Sequence, residues 1–160
     1  MNTVITENYF EFEADFVEEN VRCIPMIVRF KLDACGIKLK LKEWSKMSVD
    51  ERENLAVFPC HTAEQALMYK KYLQEIILLH TGETATEIPV MTNPAWSIKD
   101  ELPFPLQEKL REFDWTISIA QWIKLTDLQR FALLKLSYPG HENRNFPVAM
   151  KEFALVNQVF

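Results

Sequence analysis

Residues 24–58 recur, 78 positions later and without a gap, as residues 102–136. Seven of the 35 positions are identical: Pro25/Pro103, Lys31/Lys109, Leu32/Leu110, Trp44/Trp122, Lys46/Lys124, Arg52/Arg130 and Leu55/Leu133. Conservative pairs run between them, namely Leu39/Ile117, Leu41/Ile119, Met47/Leu125, Ser48/Thr126 and Glu51/Gln129. A unit of this length buries too little surface alone and needs a neighbour to complete its core. The echo therefore predicts an all-α helical bundle of two pseudo-repeats, each of about three helices joined by short extended connections. We expect one domain over 1–160, with an acidic arm at 1–21, repeat one at 22–82, a linker at 83–101 and repeat two at 102–160. Function should lie where the copies differ, because the shared positions read as scaffold.

Local signals place the helices. Ser48–Glu51, Thr62–Gln65 and Thr126–Gln129 are capping boxes, in which side chain and backbone satisfy two orphan amides reciprocally. The second opens an amphipathic helix with Ala66, Tyr69, Leu73, Ile76, Ile77 and His80 on one side, ending at Gly82. A short helix is expected from about residue 13. Another spans 25–34, with Pro25 in its first turn, Ile24, Val28 and Leu32 on one face, and Gly36 as its left-handed stop. Residues 37–42 alternate as a strand does, and so do 115–119. We read both as extended connections into short helices carrying Trp44 and Trp122, and a two-stranded pairing of the two segments is an open alternative. Residues 83–101 break every periodicity, with Trp96 pinning the linker to the surface. Further helices are expected over 104–113, 119–125, 127–137 and 147–157, the last showing Val148, Phe153, Leu155 and Val156.

Composition narrows the function classes. Three glycines leave no material for a Gly-rich phosphate loop. No apolar run approaches the ~20 residues of a membrane span. The opening MNTVITENYFEFEADF has neither a basic nor an apolar signal-peptide region, so a cytoplasmic protein with reduced thiols is expected. A net charge of −5 disfavours nucleic acid as a partner.

Candidate chemistry is sparse. Cys23, Cys35, Cys60, His61, His80 and His141 have no metal-ligand spacing, so no metal is expected. Cys23, Cys35 and Cys60 are candidate reactive thiols, Cys60 foremost, because a helix start just beyond it favours thiolate. No nucleophile–base–orienter set is recognisable, so neither a catalytic residue nor a cofactor is expected. Trp44 and Trp122 read as core, and Arg52 and Arg130 as ties within their repeats through a carboxylate or a helix C-terminus.

Charge separates the copies. Residues 1–21 hold six acids and no base, whereas 22–46 hold seven bases against Asp33 and Glu43. Arm and block either pair with each other as solvated faces, or the block is a surface for an anionic partner. Lys38, Lys40 and Lys42 correspond to Thr116, Ser118 and Ala120, and Arg29 to Gln107. Arg22, Arg29, Lys31, Lys38, Lys40 and Lys42 are therefore the candidate partner-binding residues.

Residues 10–44 (FEFEADFVEENVRCIPMIVRFKLDACGIKLKLKEW), with ERENL and PCHTAEQALMYKKYL after them, resemble the nitrate reductase-associated protein family. Arg22-Cys23-Ile24-Pro25-Met26, Lys31-Leu32-Asp33 and Gly36-Ile37-Lys38-Leu39 carry the likeness. It covers about residues 9–80, and the second half fits more loosely. The resemblance implies a non-catalytic accessory role, encoded near nitrate reductase and molybdenum-cofactor genes. The implied partner is nitrate reductase, in the apo form, with the molybdenum cofactor as cargo in transit. A small-molecule or cofactor-binding helical module is the alternative.

Overall fold

A computed structural model describes residues 8–139 and 144–157. The chain is mainly α-helical and divides into two compact units, Met1–Met91 and Thr92–Phe160. His141 and Glu7 lie outside the described residues.

The first unit opens with a 3-10 turn, Glu11–Glu13, and α1 (Ala14–Glu18). Next come α2 (Met26–Cys35), β1 (Ile37–Lys38), α3 (Leu41–Ser45), α4 (Val49–Val57), α5 (Ala63–Thr81) and β2 (Thr86–Glu87). Both capping boxes of this unit form. Ser48 Oγ accepts from the Glu51 amide at 3.1 Å, and Glu51 Oε1 accepts from the Ser48 amide at 2.8 Å. Thr62 and Gln65 do the same at 3.1 and 3.3 Å. Gly82, at φ 81°, stops α5. The apolar stripe of α5 buries Tyr69, Leu73, Ile76 and Ile77 against α2, α3 and α4. Their partners include Val28, Leu32, Trp44 and Leu55, all in one buried cluster. Side chains buried to this degree contribute about 1.5–3 kcal/mol each, so α5 organises the unit.

The second unit runs from a 3-10 turn, Ala95–Ser97, through α6 (Phe104–Glu112), α7 (Ile119–Lys124), α8 (Asp127–Ser137) and α9 (Asn145–Glu152). Here α8 is central and packs on α6, α9 and the 3-10 turn. It buries Phe131, Leu133, Leu134 and Leu136. Trp96 meets Phe131 edge-on at 6.5 Å, so the linker tryptophan is fastened to α8.

Each unit contains one fully buried tryptophan on a short helix and an arginine eight residues on. The Trp44 indole donates to Val21 O at 3.0 Å, and the Trp122 indole donates to Ile98 O at 2.8 Å. Arg52 lies over the Trp44 ring at 5.7 Å and Arg130 over Trp122 at 6.0 Å. Both guanidiniums donate to carbonyls at the end of the preceding short helix, Arg52 to Trp44 and Ser45, Arg130 to Trp122, Ile123 and Leu125. Trp44 O and Trp122 O also accept from the Met47 and Leu125 amides at 3.1 and 3.2 Å, but carbonyls of a last helical turn have spare acceptor capacity, which is why an arginine is useful there.

One open alternative falls and two expectations are corrected. The strand partner of Ile37–Lys38 is Thr86–Glu87, antiparallel, and not residues 115–119. The alternation ends at Lys38, since Leu41 already opens α3 and is 61 % exposed. The last helix is Asn145–Glu152 and buries Phe146, Ala149 and Met150, while Val148 faces outward. Pro147 sits in its first turn, and the left-handed Ala154 (φ 58°) prevents continuation to 157.

Candidate functional site

The basic block is presented by the turn from α2 into α3. Gly36 makes this turn possible for two reasons. Its φ of 78° suits glycine, and a Cβ there would stand 2.6 Å from Ile88 O. The close approach lets the Ile88 amide donate to Gly36 O at 2.8 Å, extending the β1–β2 ladder. That ladder fixes the register, with Ile37 buried and Lys38 outside. Lys40 then caps α3, Lys42 lies in its short body and Lys46 at its end. Lys38, Lys40, Lys42 and Lys46 are all exposed. None forms an ion pair among the described residues.

The other three expected partner-binding residues have different fates. Arg22 is exposed, and its Nε meets Glu19 Oε2 at 2.8 Å, so arm and block do pair at this point. Arg29 is half-buried and donates to Ile24 O at 3.1 Å. Lys31 is a correction: it is only 5 % exposed, and its Nζ donates to Ala56 O at 2.7 Å and Phe58 O at 2.5 Å. These carbonyls close the C-terminal end of α4, so the ammonium is a buried helix cap. Burial pushes the Lys31 amine below its ordinary value.

The sequence reading missed Glu13. It is 2 % exposed, and its carboxylate accepts from the Met26 amide at 2.7 Å and the Phe10 amide at 3.2 Å. One acid of the arm thus caps α2, whose N-cap residue, Pro25, offers no side-chain acceptor. The only available signal was the capping-box spacing, Phe10 to Glu13, without a Ser or Thr at its head.

The thiols are free. Cys35 is buried, and burial pushes its thiol from 9.0 to about 12, which opposes formation of a thiolate there. Cys60 is half-buried with Sγ 3.8 Å from Lys31 O. Burial raises its thiol too and outweighs the opposing charge of Lys31, against the expected activation. Cys60 also lies two residues before the Thr62 cap rather than in the first turn of α5. Cys23 is half-buried, with Arg22 Nη1 3.5 Å from its sulfur.

His80 falls on the rim of α5, where Nε2 lies 2.8 Å from Glu51 Oε1. Burial pushes the Glu51 carboxyl up, but the Ser48 amide and His80 outweigh it, and the net shift is downward. Among the described residues no cluster of His, Cys, Asp and Glu could hold a metal, and no helix is long and apolar enough to cross a membrane. The second unit has an open depression of about 400 Å3, lined by Leu102, Gln107, Leu110, Arg111, Asp114 and Trp115 among others.

No curated protein and no solved structure matches the chain. A family model does, over residues 9–153, through both units and across the exposed lysines. The chain belongs to the conserved nitrate reductase-associated protein family.

Proposed function

We propose that the chain is a non-catalytic, cytoplasmic accessory protein for assimilatory nitrate reductase, and that it binds the apo-enzyme while its molybdenum cofactor or iron–sulfur centres are assembled. The contact surface is Lys38, Lys40 and Lys42, with Arg22 and Arg29 at its flank. The observation that carries this reading is the run of exposed lysines that form no ion pair among the described residues, in a chain of the nitrate reductase-associated family. Unpaired lysines on a net-negative protein cost solvation little and steer an anionic partner or an anionic cofactor in transit. Such steering weakens beyond the ~8 Å screening length of physiological salt.

We also propose that the two units are copies of one ancestral unit. The matching Trp–Arg stacking and the capping boxes 78 positions apart support this. On that reading Lys38, Lys40 and Lys42 were acquired in one copy for a task the scaffold does not demand.

The test is a salt-titrated pull-down of the purified chain against apo- and holo-nitrate reductase. Preferential capture of the apo form, lost at high salt and in the K38E/K40E/K42E variant, is expected. Capture that ignores both salt and the triple reversal would overturn the lysine surface. Capture of neither form would overturn direct association, and ligand-dependent melting would then test the small-molecule alternative.

A further inference from the structure

The outer face of α5 is apolar at both ends and charged in the middle. Leu67 and Met68 are 68 % and 66 % exposed, and Leu78 and Leu79 are 50 % and 77 % exposed. Between them lie Lys71 and Glu75, both exposed. All six point away from the buried stripe of Tyr69, Leu73, Ile76 and Ile77. Isolated exposed leucines need no explanation, but two exposed apolar pairs on one helix face, with a charged pair between them, do.

The arrangement is symmetric about the level of Leu73. Leu67 and Leu79 stand six positions to either side, Met68 and Leu78 five, and Lys71 and Glu75 two. Apolar character is kept by the reflection, Leu67 falling on Leu79 and Met68 on Leu78, and charge is inverted at the central pair. A twofold axis across an antiparallel helix pair requires this pattern of a self-complementary face. Lys71 and Glu75 are four apart on one face, yet neither forms an ion pair among the described residues. Lysine preceding glutamate is also the poorer order for a pair within one helix. Both charges are therefore available to an outside partner.

We propose that a second copy of this chain docks on α5, with the two α5 helices antiparallel and the axis at Leu73. At 1.5 Å rise per residue, Leu67 and Met68 of one copy lie level with Leu78 and Leu79 of the other. Two equivalent four-residue apolar clusters form, one at each end. Lys71 of each copy meets Glu75 of the other at the centre, giving two ion pairs. The macrodipoles of the two helices run antiparallel, which also favours the pairing. A face one helix wide buries less than the ~800 Å2 per partner of a standard interface, so the dimer is weak, with a Kd on the order of 10 μM or above. The face uses none of Lys38, Lys40 and Lys42, so the proposal stands independently of the enzyme partner.

The experiment is sedimentation velocity on the full chain from about 1 μM to about 1 mM, the range in which weak association shows. A concentration-dependent dimer is expected. Lys71→Glu and Glu75→Lys should each weaken it about tenfold, because two attractive contacts become two repulsive ones. The double exchange K71E/E75K should restore it, and Leu79→Asp should abolish it, all with unchanged far-ultraviolet circular dichroism. A chain that is monomeric throughout overturns the proposal. So does a dimer indifferent to these substitutions, which would use another surface, or a double exchange as weak as the single ones.

Discussion

Arg130→Met should remove a large part of the stability of the second unit. Arg130 is 2 % exposed. Its guanidinium donates to Trp96 O at 3.0 Å, to Leu125 O, and to the carbonyls of Trp122 and Ile123 at 3.5 and 3.4 Å, and it pairs with Asp127. The two longest contacts contribute little. The Asp127 side chain is 62 % exposed, so that pair is discounted for screening. Two charge-assisted bonds to backbone carbonyls remain, at about 1.5–3 kcal/mol each. Methionine keeps the apolar stem over Trp122 and relieves a buried charge, so the net loss should be about 3 kcal/mol. A unit of roughly 70 residues has only ~3–10 kcal/mol in all. Arg52→Met is the control. Its three carbonyl partners, Asn20, Trp44 and Ser45, lie 2.9, 3.3 and 3.1 Å away at a half-buried site, where water can replace the lost bonds. About 1 kcal/mol is expected there. Urea unfolding followed by tryptophan fluorescence reads both. Equal losses, or a loss below about 1 kcal/mol for Arg130→Met, would show that burial of the guanidinium does not set its worth.

Further expectations follow from the first unit. Glu13→Ala should cost about 1–2 kcal/mol by uncapping α2, with Glu13→Gln recovering part of it through its remaining carbonyl oxygen; identical losses in a urea melt would refute the cap. Stability should fall as pH rises above 9, because Cys35 is held from 9.0 up to about 12 and Tyr9 from 10.0 up to about 12. Between those limits the unfolded chain loses protons that the folded chain keeps, so this contribution is whole below pH 9 and is lost upward through the folded values. Lys31, shifted downward, opposes the trend only as its own amine titrates, and an unfolding midpoint flat to about pH 11 would contradict the burial of these groups. Ellman's reagent should modify Cys23 first, then Cys60, and Cys35 only on unfolding; three equal rates would contradict their burial.

Helix positions were legible where the signal was local. Ser48, Thr62 and Thr126 announced α4, α5 and α8, because a cap and its reciprocal partner lie within four residues. Gly36 and Gly82 announced two stops for the same reason. The partner of Ile37–Lys38 was not legible, since it lies about fifty residues away in a segment whose strand is two residues long. Nor was the burial of Glu13, which depends on a helix start thirteen residues later lacking its own side-chain cap. The thiol of Cys60 was misjudged because sequence gives proximity to a helix start but not the burial that outweighs it.

Lys31 is the instructive error, because the sequence contained the means to avoid it. Grouping it with Lys38, Lys40 and Lys42 as one run of charge ignores helical period. On α2 it falls three residues after Val28 and four before Cys35, within the buried face. It is also identical with Lys109 across the 78-residue offset, and Lys109 is 7 % exposed. Of the seven identical pairs, Pro25/Pro103, Lys31/Lys109, Leu32/Leu110, Trp44/Trp122 and Leu55/Leu133 bury both members. Arg52 is half-buried where Arg130 is buried, and only Lys46/Lys124 is exposed in both units. Identity between the units thus sorts residues by burial better than residue type does. The same criterion leaves Lys46 outside the lysine surface and retains Lys38, Lys40 and Lys42, whose counterparts are Thr116, Ser118 and Ala120. A Lys46→Glu reversal should therefore disturb enzyme capture less than a reversal at Lys40, and a larger effect at Lys46 would refute the use of repeat asymmetry as a guide to function.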